Sequence, residues 1–286
     1  MADTIFNVDK KIVGNKRIGD WFDFESEILP HISWWQGEDD GADRDALGAT
    51  LTGLSKWYGG VLGKDGKIYG IPFDATDILI IDTDTGTATR SDMGATLTDT
   101  NKWFGGVLGK DGKIYGIPFD STDILIIDTD TGTATRSDMG ATLTGATKWQ
   151  GGVLGKDGKI YGIPRNSTDI LIIDTDAGTA TRSDMGATLT GANKWQGGVL
   201  GKDGKIYGIP SNSTDILIID TDTGTATRSD MGATLTGSNK WEGGVLGKDG
   251  KIYGISRNSA NILIIDTSSA IGGDFNTILQ PYFNKF

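Results

Sequence analysis

The chain has 286 residues, a net charge of −11, no cysteine and one histidine. That length holds one or two domains, and the residue counts exclude a disulfide framework, a thiolate nucleophile and any metal site built from cysteines or several imidazoles. With 27 basic against 38 acidic residues there is no basic stripe for a phosphate backbone, so nucleic acid is not an expected partner.

In chain order, residues 1–41 form a non-repetitive tail rich in aromatics (Trp21, Phe22, Phe24, Trp34, Trp35). The tail lacks a basic segment followed by an apolar one, so no secretory signal is expected. No stretch approaches 18 apolar residues, so no membrane-spanning helix is expected. From Gly48 a unit beginning GATLTG repeats with a period of 46, restarting at Gly94, Gly140, Gly186 and Gly232. Glycine makes up 44 of the 286 residues, about double the usual ~7%. Recurring glycines among Thr, Ile and Val suit turns and strands and would break helices.

Each unit reads as four strands. In the first copy, strand a runs from Trp57 to Leu62, and Asp65-Gly66 is a hairpin signal. Strand b covers 67–71, with Pro72 ending its ladder. Strand c, Ile78–Ile81, is an unbroken apolar run of the kind covered on both faces. Strand d, Thr87–Arg90, is polar like an outer edge. A 46-residue four-stranded unit is the size of a propeller blade. The fifth copy loses its match after Thr267, before any strand d, whereas Asp43–Gly48 aligns with Thr89–Gly94. Residues 42–47 are therefore expected to supply the missing strand. The expected fold is an all-β, five-bladed β-propeller over 42–267, closed by an N-terminal strand, with tails at 1–41 and 268–286.

The strand and turn residues Gly66-Lys67-Ile68-Tyr69-Gly70-Ile71 and Ile80-Ile81-Asp82-Thr83-Asp84-Thr85-Gly86 resemble kelch-type and PQQ-type propeller repeats. The glycine doublet lies on strand a (Gly59-Gly60), not after the tyrosine-bearing strand as in kelch repeats. That resemblance implies the fold. The architecture is also similar to the tachylectin-2-like lectins, with no shared motif.

The copies differ mainly before the tryptophan, just after it, and in the b–c loop, all expected near one face of the ring. The expected ligand-binding residues are Trp57, Tyr58, Phe73 and Asp74 in the first copy, and Trp103, Phe104, Phe119 and Asp120 in the second. Trp149, Gln150, Arg165 and Asn166 follow in the third, Trp195, Gln196 and Asn212 in the fourth, and Trp241, Glu242, Arg257 and Asn258 in the fifth. The tryptophans have two readings, wedges between blades or platforms for sugar rings. The Asp82-Thr-Asp84 turns match only the start of a calcium loop, and no metal or cofactor is expected. The non-repeated acids Asp74, Asp99, Asp120 and Glu242 form no convincing catalytic pair. The expected function is non-catalytic binding or display of a multivalent glycan or protein ligand. A structural assembly component joined through the tails, as a homo-oligomer or to an anchoring partner, is the alternative, and a glycoside hydrolase the more distant one.

Overall fold

A computed structural model describes residues 12–13, 16–17 and 45–268. The chain divides into two compact units, Met1–Asp45 and Ala46–Phe286. The first contains a short antiparallel ladder, β1 (Ile12–Val13) with β2 (Lys16–Arg17), in register Ile12 to Arg17. The remainder of both expected tails lies outside the described residues, apart from Ser268.

The second unit carries the repeat. Blade 1 comprises β3 (Trp57–Leu62), β4 (Ile68–Pro72), β5 (Ile78–Asp82) and β6 (Thr87–Ser91). Blade 2 comprises β7 (Trp103–Leu108), β8 (Ile114–Pro118), β9 (Ile124–Asp128) and β10 (Thr133–Ser137). Blade 3 comprises β11 (Trp149–Leu154), β12 (Ile160–Pro164), β13 (Ile170–Asp174) and β14 (Thr179–Ser183). Blade 4 comprises β15 (Trp195–Leu200), β16 (Ile206–Pro210), β17 (Ile216–Asp220) and β18 (Thr225–Ser229). Blade 5 has β19 (Trp241–Leu246), β20 (Lys251–Ser256) and β21 (Leu263–Asp266). Every blade is an antiparallel meander, each strand paired with its neighbour in sequence, and the five are the blades of a β-propeller.

Local chemistry fixes each meander. The Asp65 carboxylate accepts the Lys67 N–H through Oδ1 and the Tyr69 hydroxyl through Oδ2, closing the β3–β4 turn over Gly66 at φ 83°. Asp82 Oδ1 accepts the N–H groups of Asp84 and Thr85, closing the β5–β6 turn. Pro72 is itself the last strand residue, in register with Trp57. Its missing N–H is tolerated because the β4–β5 ladder has already ended at Gly70. The glycine doublet is a β-bulge: the register slips between Trp57 and Gly60, with Gly59 at φ 75°.

The core lies between blades. Tyr69, Ile71 and Ile78 of blade 1 join Trp103, Ile114, Leu125 and Ile127 of blade 2 in one buried cluster. The same cluster recurs at the next three junctions. No such core joins blade 5 to blade 1 among the described residues. A Cβ built on Gly59, Gly105, Gly151 or Gly197 would lie 3.2–3.7 Å from a glycine Cα of the next blade, whereas Gly243 meets nothing within 4 Å. The sealed contact expected between the first and last blades is thus not made by these residues. Of the expected closing strand 42–47, only Asp45–Leu47 are described, and they are irregular.

Candidate functional site

The segment before each tryptophan and the b–c loop of the same blade are tied together by main-chain hydrogen bonds, as at Phe73 N–H to Lys56 C=O, 2.8 Å. The Lys102 N–H reaches back to the Phe73 carbonyl of the preceding blade at 3.0 Å. All three variable places therefore share one face. Their side chains do different jobs.

The tryptophans are wedges. Trp103, Trp149 and Trp195 are fully buried and Trp241 nearly so, and each indole N–H donates to a main-chain carbonyl, Trp103 to Asp123 at 2.7 Å. Trp57, at the start of blade 1, is half-buried with the same bond to Asp77. Lys102 and Arg136 sit 5.9 and 5.4 Å from the Trp103 ring. With the rings buried and the N–H committed, the platform reading of Trp103, Trp149, Trp195 and Trp241 is corrected to packing.

Asp74, Asp120, Asn166 and Asn212 are also corrected. Each offers its Oδ1 to the N–H of a residue in the next blade: Asn101 at 2.7 Å, Thr147 at 2.6 Å, and Asn193 and Asn239 at 2.7 Å. They are braces between blades. Asn258 has no following blade to brace among the described residues and is exposed.

Sequence reasoning missed a second brace, the lysine before each tryptophan. Lys102 is fully buried, its ammonium donating to the carbonyls of Phe73, Ala75 and Asp99 at 2.9, 2.9 and 2.5 Å. Burial lowers its pKa to about 8 despite the nearby carboxylates of Asp74 and Asp99. Burial brings Lys148 and Lys194 to about 8 as well, and Lys240 is lowered for the same reason. A lysine-tryptophan pair at every repeat was the available signal.

The position after each tryptophan and the first residue of each b–c loop remain, and they form a belt. Tyr58 stacks on Phe104 with centroids 4.4 Å apart and meets Phe73 edge-on at 4.7 Å. Phe119 lies 5.5 Å from Phe73 and 5.7 Å from Phe104. The Arg165 guanidinium lies 5.4 Å from the Phe119 ring and donates to Gln150 and Asn193 at 2.7 and 2.8 Å. In blade 5, Arg257 and Glu242 pair at 3.4 Å. Burial lowers the Arg165 pKa, the Arg257 charge lowers it further and Glu242 opposes the change. In blade 4 the equivalent residues, Gln196 and Ser211, are buried with their side-chain polar atoms unpartnered by protein. The belt is aromatic over blades 1 and 2 and polar over blades 3 to 5, so it does not offer five equivalent sites.

These blades define a propeller with an asymmetric face, and solved structures of that class are similar to it in fold. Virginiamycin B lyase from Staphylococcus aureus aligns at 18% identity and TM-score 0.56, over 76% of this chain and 71% of that one. An auxiliary nutrient binding protein from Bacteroides ovatus aligns at 15% identity and TM-score 0.52, over 73% and 55%. An extracellular domain assigned to a hybrid two-component system of B. thetaiotaomicron aligns at 14% identity and TM-score 0.57, over 75% and 30%. No protein-family model matches the sequence, and no curated protein does.

Proposed function

We propose that the chain is a non-catalytic binding and display module whose ligand surface is the belt from Tyr58 and Phe104, over the buried Phe119, through Arg165 to Glu242 and Arg257. The observation that carries this reading is that two positions at which near-identical copies diverge without serving as braces, the one after each tryptophan and the first of each b–c loop, pack together through blades 1 to 3 and pair as Glu242 with Arg257 in blade 5. Drift alone would scatter differences over the equally exposed turns of the other end, which stay nearly uniform. Scaffolded loops are where binding residues concentrate. The kelch- and PQQ-type likeness belongs to this reading as a scaffold, without those families' ligands.

A glycan is the ligand class we favour. Tyr58 is 37% exposed and can take the C–H face of a sugar ring, while Arg165, Arg257 and Glu242 can bond its hydroxyls. The absence of catalysis is part of the proposal and has its own support. Among the non-repeated acids, Asp74 and Asp120 are braces, Asp99 pairs with Arg136 at 3.2 Å, and Glu242 pairs with Arg257. A glycan array probed with the full chain tests the proposal. Binding should fall at least tenfold in Phe104→Ala and in Arg257→Ala, and be unchanged in Lys156→Ala at the other end of the blades. Binding indifferent to the first two substitutions, or turnover of a bound glycan, overturns it.

A further inference from the structure

The residue after each tryptophan and the first residue of the b–c loop meet within a blade, as Tyr58 meets Phe73, Gln150 meets Arg165 and Glu242 meets Arg257. Successive blades continue the contact, from Phe73 to Phe119 at 5.5 Å and from Phe119 to Arg165 at 5.4 Å. The same step carries Arg165 onto blade 4, where its Nε donates to Asn193 at 2.8 Å. Gln196 and Ser211 occupy the two positions in blade 4, with described blades on both sides.

At this point the belt is short of side chain and short of partners. Ser211 stands where blades 1 and 2 have phenylalanine and blades 3 and 5 have arginine. It is nonetheless fully buried, and Gln196 is 1% exposed. The Ser211 hydroxyl and both polar atoms of the Gln196 amide have no hydrogen-bond partner. The other unpartnered buried atoms, threonine hydroxyls and arginine Nε atoms, recur at the same positions from blade to blade and belong to the scaffold. Those of Gln196 and Ser211 occur in blade 4 alone. Buried polar atoms are partnered as a rule, so this set points to a group that the chain itself does not supply.

A second observation gives the charge of that group. Arg90, Arg136, Arg182, Arg228 and Arg257 each pair with a carboxylate at 3.4 Å or less. Arg165 is half-buried and pairs with none among the described residues. Its Nε and Nη1 are committed to the neutral oxygens of Asn193 and Gln150, which leaves Nη2 to a ligand. Burial and the like charge of Arg257 lower its pKa against the opposing pull of Glu242, as expected of a guanidinium short of a counter-ion. A carboxylate is the planar, charge-assisted partner that an arginine takes best.

We infer that the place over Gln196 and Ser211, beside Arg165, holds the carboxylate of an acidic sugar. The inference rests on the belt being the ligand surface, and narrows its ligand from glycans at large to those bearing a uronic or sialic acid. One carboxylate oxygen accepts from Arg165 Nη2. Gln196 and Ser211, which between them can donate and accept, take the other oxygen and a neighbouring ring hydroxyl. Arg165 is the neighbour that the repeat places beside Ser211, as Phe119 lies beside Phe73, and its turning toward the ligand opens the way to both buried groups.

Two measurements on the full chain test this. In the first, sodium glucuronate is titrated into nitrogen-15-labelled protein, with sodium chloride and glucose as controls. Glucuronate should shift the Gln196 side-chain amide and Arg165 Nε–H signals, and the controls should leave them in place. Signals that glucuronate does not move overturn the inference, and leave ordered water as the partner of Gln196 and Ser211. In the second, polymer conjugates of glucuronate, N-acetylneuraminate and glucose are compared by surface plasmon resonance. The acidic conjugates should bind at least tenfold more tightly than the glucose conjugate. Arg165→Gln should erase that difference, and so should Ser211→Phe, which gives blade 4 the residue that blades 1 and 2 carry at this position. An acidic preference that survives both substitutions overturns the inference. Equal binding of acidic and neutral conjugates, lost in Phe104→Ala, overturns it too while leaving the belt as the ligand surface. No binding of any conjugate and no shift with glucuronate overturn both.

Discussion

Thr147 occupies a left-handed backbone position, φ 54°, where its counterparts Asn101, Asn193 and Asn239 sit at 49–51°. A β-branched side chain is strained there, whereas asparagine is among the residues that tolerate it best. The N–H of this residue is the donor to the Asp120 brace, so the conformation is held in place. Thr147→Asn should keep the bond and raise stability by about 1 kcal/mol, read as a higher melting temperature. The buried lysines make a second prediction. Lys102, Lys148 and Lys194 titrate near 8 in the folded chain and near 10.5 when unfolded. Between those values the unfolded state holds more protons, so stability rises with pH, and the cost of burying the charges is fully present only below about 8. Above pH 10 the tyrosines, whose pKa values burial and the turn aspartates raise, act in the opposite sense. The melting temperature should climb between pH 8 and 9.5, and more gently in Lys102→Met. A flat profile would show that the three carbonyls compensate the ammonium for its lost water.

At the scale of the strand, the sequence was legible almost to the residue. The Trp57–Leu62 strand and the Ile78–Asp82 and Thr87–Ser91 strands follow from apolar runs, Asp-Gly turns and polar edges, all local signals. The bulge at Gly59 was less plain, because a glycine doublet weakens a strand as readily as it kinks one. What side chains touch across blades was not legible. Variation from Asp74 to Asn166 looks like altered ligand chemistry, yet both residues keep an Oδ1 acceptor for the same brace. Variation within a constraint is indistinguishable from variation toward a ligand until the partner N–H is seen. The inner-strand glycines can be tested directly. Gly151 and Gly243 share a positive φ, 74° and 68°, but a Cβ on Gly151 would lie 3.3 Å from the Gly197 Cα and one on Gly243 would meet nothing. Both alanine variants lose about 1–2 kcal/mol to the backbone conformation. Gly151→Ala should lose about 1–3 kcal/mol more from crowding the next blade. Equal losses in denaturant titrations would mean that the two positions have the same surroundings.

Across the whole repeat, stability comes from junctions rather than from blades. A single meander has no core of its own, since each cluster draws on two neighbours, such as Ile71 with Trp103 or Ile163 with Trp195. Stability in such arrays is a sum of nearest-neighbour terms, and units lacking a neighbour open first. Blades 2 to 4 are packed on both sides, whereas blade 5 leaves Val245, Ile255 and Ile264 exposed and β21 has a pairing partner on one side only among the described residues. Near-identity of the copies makes the comparison clean, because amides such as those of Ile172 and Ile264 differ little in intrinsic exchange and share the same strand position. Hydrogen exchange should therefore be slowest in blades 2 to 4 and faster in blade 5, with Ile264 well ahead of Ile172. Uniform protection across all five blades would show that blade 5 has its neighbour within the same chain.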